Sequence, residues 1–146
     1  MRALKIGVVL ALLAGVSLAL NEHKSIWFKS PLNRIQGHVV DAAGDAIDLA
    51  EVNIWTHPEV WSDDSLSYEQ KRSKQRKVET TSTDDHGKFY VKKLPRGSYE
   101  VEFKKDGFND LSVIVQVDSS APSERFCVKL TPGSEGNDGS FQPCKH

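Results

Sequence analysis

Residues Val78 to Phe103 read VETTSTDDHGKFYVKKLPRGSYEVEF, three extended segments parted by two glycine-marked turns. Thr80 to Thr83 are β-branched or small strand formers, and Asp84-Asp85-His86-Gly87 is a turn. Phe89 and Val91 then alternate with Lys88, Tyr90 and Lys92. Pro95 to Gly97 turns again, and Tyr99, Val101 and Phe103 alternate with Glu100 and Glu102. A period of two with short turns is the grammar of an antiparallel sheet buried on one face.

The same period extends outward from this stretch. Upstream, Arg34 to Val40 places Ile35, Gly37 and Val39 on one face, Ala42 to Asp45 turns, and Ala50, Val52 and Ile54 point inward. Trp55 falls on the nominal outer face. Downstream, Leu111, Val113, Val115 and Val117 form the clearest inward face, and Ile114 on the opposite face marks a central strand. Phe126, Val128 and Leu130 complete the set. Seven strands at this spacing predict an all-β, Greek-key β-sandwich as a single domain over 34–131.

Residues 1–19 are read as a secretory signal peptide. Arg2 and Lys5 precede an uncharged apolar run from Ile6 to Leu20, too short for the roughly 20 apolar residues of a spanning helix. Ser17 and Ala19 supply the small side chains that place cleavage after Ala19; an uncleaved anchor is the alternative. The expected location is secreted or periplasmic, with no stable membrane insertion after cleavage. In that oxidising setting Cys127, turned outward in the last strand, pairs with Cys144 and ties back the Gly, Ser and Pro-rich tail over 132–146; two free thiols are the alternative. Residues 20–33 form an extended lead-in whose Trp27 is expected to pack on the sandwich.

Between Thr56 and Val78 the period breaks. Ser62, Asp63 and Asp64 can start a short helix near Asp64 to Lys74, with only Leu66 and Tyr68 as an apolar face. A connection this long in a compact domain is functional or disordered more often than not. Its aromatics and imidazole, Trp55, His57, Trp61 and Tyr68, are the candidate binding residues, since indole and phenol rings suit sugar rings and peptide side chains. The competing reading is that Trp55 and Trp61 pack against the insertion and cover an outer sheet face.

Charge and motifs exclude several functions. Without Arg2 and Lys5 the chain holds 17 basic against 20 acidic residues, about −3. Lys71, Arg72, Lys74, Arg76 and Lys77 are interleaved with acidic neighbours and read as a solvated charged segment, so no nucleic-acid partner is expected. Lys88, Lys92, Lys93, Arg96, Glu100, Glu102, Lys104 and Lys105 alternate outward and are expected to keep exposed strands soluble. His57, Glu59, Asp63 and Asp64 lack zinc-ligand spacing, and Asp84 and Asp85 are better explained as turn formers than as calcium ligands. No cofactor is implied. No strained serine elbow presents a nucleophile, and no enzyme is expected.

The pieces I35-Q-G-H-V-V-D, A50-E-V-N-I, T83-D-D-H-G-K-F, L94-P-R-G-S-Y-E-V and D106-G-F, in this order, resemble the carboxypeptidase regulatory-like domain, a transthyretin-like, prealbumin-type sandwich. The resemblance implies a non-catalytic module of the kind attached to metallocarboxypeptidases, outer-membrane receptors and surface adhesins. It departs from the pattern at the insertion after Thr56. The C-terminal Tyr-Arg-Gly-Ser of the related urate-pathway hydrolases is missing, and Tyr68, Tyr90 and Tyr99 show no intradiol dioxygenase motif. The resulting expectation is an accessory or protein-interaction module at the cell envelope, with a small carbohydrate-binding protein as the alternative.

Overall fold

The computed structural model describes residues 24–133 and 139–145. The expected signal segment and its cleavage site lie outside them. Among the described residues nine strands form two facing sheets: β1 (Ser25–Trp27), β2 (Gln36–Val40), β3 (Glu51–Trp55), β4 (Lys77–Ser82), β5 (Lys88–Tyr90), β6 (Gly97–Lys104), β7 (Leu111–Val117), β8 (Phe126–Lys129) and β9 (Ser140–Pro143). One sheet has the order β1-β7-β6-β3-β4 and the other β5-β2-β8-β9. The seven expected strands are all present as β2 to β8, and the predicted inward residues, from Ile35 to Leu130, are buried.

Turn chemistry directs the chain from one sheet to the other. Between β4 and β5 the Asp84 carboxylate accepts from the His86 and Lys88 backbone N–H groups, and Gly87 takes φ 71°, where a Cβ would meet the Val39 carbonyl oxygen at 2.5 Å. At the Pro95–Gly97 turn the buried Tyr99 ring donates its hydroxyl to the Pro95 carbonyl at 2.8 Å, and burial pushes that phenol's pKa up. Gly37 answers a different demand. In the parallel β2–β8 pair a Cβ there would lie 1.9 Å from the Phe126 carbonyl oxygen, so only glycine lets the two strands approach.

Two strands arise where no period was legible, and both are recruited by phenylalanine. Phe126 and Phe141 stack at 4.6 Å between centroids, and Phe28 sets its edge against both at 5.1 and 5.5 Å. Phe28 follows β1 and Phe141 lies in β9, so the lead-in and the tail each deliver one ring to the same end of the core. The expectation for Trp27 is corrected by this arrangement. Ile26 pairs with Val113 and turns inward, alternation therefore sends Trp27 outward beside Ile114, and its side chain is exposed while Phe28 packs. With β1 on its far side β7 is a central strand, and Ile114 is buried on the outer face.

The Cys127–Cys144 disulfide is present. Cys127 pairs in register with His38 and Gln142 on the outer face of the four-stranded sheet, and the Cys144 N–H donates to the Arg125 carbonyl. The tail is thereby held twice, by the bond and by the Phe141 ring.

Two measurements test this fold. Replacing both cysteines by serine closes no loop across the 17-residue separation and is expected to lower unfolding free energy by about 3 kcal/mol in the chain-entropy picture, with amide exchange at Phe141 rising first. Second, hydrogen bonds hold the carboxyls of Asp84 (from Lys88 N–H foremost), Asp63 (from the Ser65 hydroxyl foremost) and Asp118 (from Ser120 N–H foremost) below their ordinary value of 3.8. A carboxyl depressed in the folded state adds stability above its unfolded pKa and loses it as pH falls through the folded value. Denaturation midpoints should thus fall from about pH 4 downward, and Asp84→Asn should flatten that decline.

Candidate functional site

Strand alternation places Asn53 and Trp55 of β3, Glu100 and Glu102 of β6, and Ser112 and Ile114 of β7 on the outer face of the five-stranded sheet. The register aligns them in two rows, Trp55–Glu100–Ile114 and Asn53–Glu102–Ser112. A carboxylate pair in the middle of a sheet cannot remain buried without donors. The insertion supplies them.

The insertion folds as a 3-10 turn over Pro58–Ser62 and a helix, α1 (Tyr68–Ser73). His57 enters it with φ 53° and ψ 52°, a left-handed conformation that a non-glycine residue adopts at a cost. The helix begins later than predicted. Asp63 spends its carboxylate on the Ser65 N–H and hydroxyl, and Ser67 is the N-cap instead, in a capping box with Gln70.

Arg72, on α1, is the residue that docks the insertion. Its Nη1 donates to Glu100 Oε2 at 3.1 Å and to Gln75 Oε1 at 2.8 Å, and its Nη2 donates to Glu102 Oε2 at 3.0 Å. The guanidinium lies 4.2 Å from the Trp55 ring centroid and 5.1 Å from that of Trp61, so it is both hydrogen-bonded and stacked. Glu100, with no exposed surface, also accepts from Trp61 Nε1 at 2.7 Å, Gln75 Nε2 at 2.8 Å and Ser112 Oγ at 2.7 Å. Glu102 accepts from Asn53 Nδ2 at 3.2 Å, and Thr80 donates to the Asn53 carbonyl oxygen. Every oxygen of both carboxylates has a donor.

Two expectations are corrected here. Glu100 and Glu102 do point outward from the sandwich core, yet they are buried, because the insertion lies over them. Arg72 belongs to the segment read as solvated, yet its side chain is only 16% exposed and forms the centre of the network. The helix docks through polar groups where only a thin apolar face was available, and none of its residues is buried outright.

Of the four candidate binding residues, Arg72 brings three together. Trp55, Trp61 and Tyr68 all lie within 6 Å of its guanidinium, and Lys77 lies 5.0 Å from the Trp55 ring. Trp55 and Trp61 are half-buried, with ring faces taken by Arg72; Tyr68 remains 47% exposed. His57 stands apart, exposed and, among the described residues, paired with Glu59 at 3.1 Å. Asp84, Asp85 and His86 present ligand atoms within 4.8 Å of one another, but they are exposed and Asp84 is occupied by its own turn.

Residues 34–131 match the model of the carboxypeptidase regulatory-like domain. The chain belongs to that family. No curated protein sequence matches it. The family's sandwich is a non-catalytic module, and the match begins just before β2 and ends just after β8, so β1 and β9 lie outside it. The docked insertion lies within the matched region, between β3 and β4. Among the described residues no helix is long and apolar enough to cross a membrane.

The network yields a stability ranking. Trp61→Phe removes a donor from a fully buried carboxylate and is expected to lower stability by about 1–3 kcal/mol. Trp55 Nε1 is buried and has no hydrogen-bond partner among the described residues, so Trp55→Phe forfeits no bond and should cost about 1 kcal/mol or less. Arg72→Leu strands two carboxylates and should release the insertion, seen as rapid proteolysis between Thr56 and Val78 while the sandwich persists.

Proposed function

We infer that this chain is an exported accessory module of the cell envelope that works by binding a protein partner and performs no chemistry itself. The observation that carries this reading is the docked insertion. An arginine enclosed between two indoles and two carboxylates fixes a 21-residue connection, numbered 56–76, over one face of an otherwise regular sandwich. A connection ordered by so many specific bonds offers a preformed surface, and preformed surfaces lose little freedom on association. Exposed on it are His57, Glu59 and Tyr68, an imidazole, a carboxylate and a phenol that together suit a polar protein surface. The disulfide supports export, since such bonds persist in oxidising compartments.

The carbohydrate alternative draws on the same aromatics and gains less. Trp55 and Trp61 turn ring faces to Arg72, which leaves Tyr68 as the exposed ring of the group.

A capture experiment from an envelope extract of the producing organism tests the interaction reading. Wild-type protein should retain a partner that Tyr68→Ala and Glu59→Lys lose, while both variants keep the wild-type unfolding midpoint. Identical capture profiles would remove the insertion as the contact surface. Retention on a panel of immobilised neutral polysaccharides, lost with Tyr68→Ala, would transfer the assignment to the carbohydrate reading.

A further inference from the structure

Strand direction sorts the connecting segments to the two ends of the sandwich. At one end lie the β2–β3, β4–β5 and β6–β7 connections, tied together where Leu49 N–H donates to the Thr83 carbonyl at 3.1 Å and Lys105 Nζ to the Asp48 carbonyl at 2.7 Å. At the other lie the segment before β2 and the β5–β6 and β7–β8 connections, tied by Asp118 N–H to the Leu32 carbonyl and by the Arg96–Asp118 ion pair at 3.5 Å. Charge divides between these ends. The first carries Asp41, Asp45 and Asp48 on one connection, Asp84 and Asp85 on the next and Asp106 and Asp110 on the third, seven carboxylates against the one lysine of those segments, Lys105. The residues at and beside the adjoining strand ends, Glu51 against Lys24, Lys88, Lys104 and Lys129, still leave eight carboxylates against five lysines there. Two of those lysines are engaged locally, Lys105 with Asp48 at 3.8 Å and Lys104 with Asp110 at 3.7 Å. The second end is the reverse. Lys29 and Arg34 precede β2, Lys92, Lys93 and Arg96 precede β6, Lys77 opens β4, and Arg125 and Lys145 complete eight cations against two carboxylates, Asp118 and Glu124. The insertion, with four acidic and four basic residues over 56–76, leaves this balance unchanged.

We propose that the basic end is an interaction surface for the acidic end of a second copy of this chain, so that copies join head to tail along the strand direction. Complementary charge selects the pairing and suppresses the two like-charged ones. Shape agrees with it, because both ends are cross-sections of the same two sheets and have the same outline. Each end also carries apolar surface: Leu49, 70% exposed in a left-handed backbone with φ 50°, stands among the aspartates, and the exposed Pro31, Pro95 and Pro122 stand among the cations. Strands about 4.8 Å apart in sheets about 10 Å apart, with their outer side chains, give an end of about 500 Å². That falls short of the roughly 800 Å² per partner of stable interfaces, so the contact is weak and its strength depends on charge. Because it joins different surfaces at opposite ends, it does not close on itself, and it builds short open rows rather than a dimer. The insertion lies over a sheet face, so this surface goes beyond the protein-binding role proposed for it and either can fail without the other.

The test uses the disulfide-bonded chain in sedimentation velocity over a concentration series, at low and at physiological ionic strength. At low ionic strength the average mass is expected to climb past that of a dimer as concentration rises, and to fall back as salt is added. Two double reversals at exposed turn positions, Asp85→Lys with Asp106→Lys and Lys92→Glu with Lys93→Glu, should each weaken self-association about ten-fold or more. An equimolar mixture of the two should regain it, since one variant then has two basic ends and the other two acidic ends. Glu59→Lys should associate as wild type does, which separates this surface from the insertion. The proposal is overturned by a monomer at every concentration at low ionic strength, by a plateau at the dimer, by reversals without effect, or by a mixture that fails to recover association. Binding to phosphatidylcholine–phosphatidylglycerol vesicles tighter than self-association, and lost with Lys92→Glu and Lys93→Glu, would equally overturn it by assigning the basic end to an anionic lipid surface.

Discussion

A carboxylate with no exposed surface, Glu100, dictates much of what surrounds it. Isolated in a protein interior an ionised carboxyl is penalised by several kcal/mol, and its place in β6, between β3 and β7, gives it no route to solvent once anything lies on that face. It persists because Trp61, Gln75, Arg72 and Ser112 all aim donors at it. Three of these four belong to the insertion. The dependence runs both ways: without the insertion Glu100 would be an ordinary outward residue of an exposed sheet, and without Glu100 and Glu102 the insertion would lose the acceptors for Arg72 and Trp61. A helix of six residues has little stability of its own, so its order derives from this contact and from its capping box.

The same logic governs the ends of the chain. An open four-stranded arrangement of β7-β6-β3-β4 would leave β7 as an edge with a buried Ile114 side chain facing water. β1 pairs parallel to β7 and removes that edge. At the other sheet β9 does the same for β8, and the disulfide keeps it there. In both cases the pairing is secured by a phenylalanine entering the core rather than by the strand's own hydrogen bonds, which are few for strands this short. The matched region, ending near β8, is thus flanked by two short strands whose phenylalanines share one aromatic cluster.

How much of this was legible follows from the length scale of each interaction. Alternation within a strand is a local signal, and it located β2 to β8 together with their buried faces; the turn residues Asp84, Gly87 and Pro95 were legible for the same reason. β1 and β9 were not, because three or four residues carry no measurable period, and Phe28, which recruits β1, meets Phe126 and Phe141, its partners 98 and 113 positions away. Trp27 was misplaced by one residue of alternation, where size suggested burial and register gave the inward place to Ile26. The outward position of Glu100 and Glu102 was correctly legible from their strand, but whether an outward residue meets water depends on what the rest of the chain lays over it. A pair of glutamates spaced by one residue in a central strand, together with an insertion arginine preceded by Trp55 and Trp61, was the available signal for the network.

Aromatic residues in an insertion invite a reading as ligand platforms, and the geometry here shows why the inference needs the cations as well. A guanidinium at 4.2 Å from an indole centroid satisfies the ring's quadrupole with the strongest partner the protein can offer, and a neutral sugar would have to displace it while leaving Glu100 and Glu102 short of donors. The two tryptophans are therefore held for stability, as the stacking partners that make a half-buried arginine tolerable. Exposed groups differ in that they can change partner without such a penalty. Among the described residues of the insertion these include the side chains of His57, Glu59 and Tyr68.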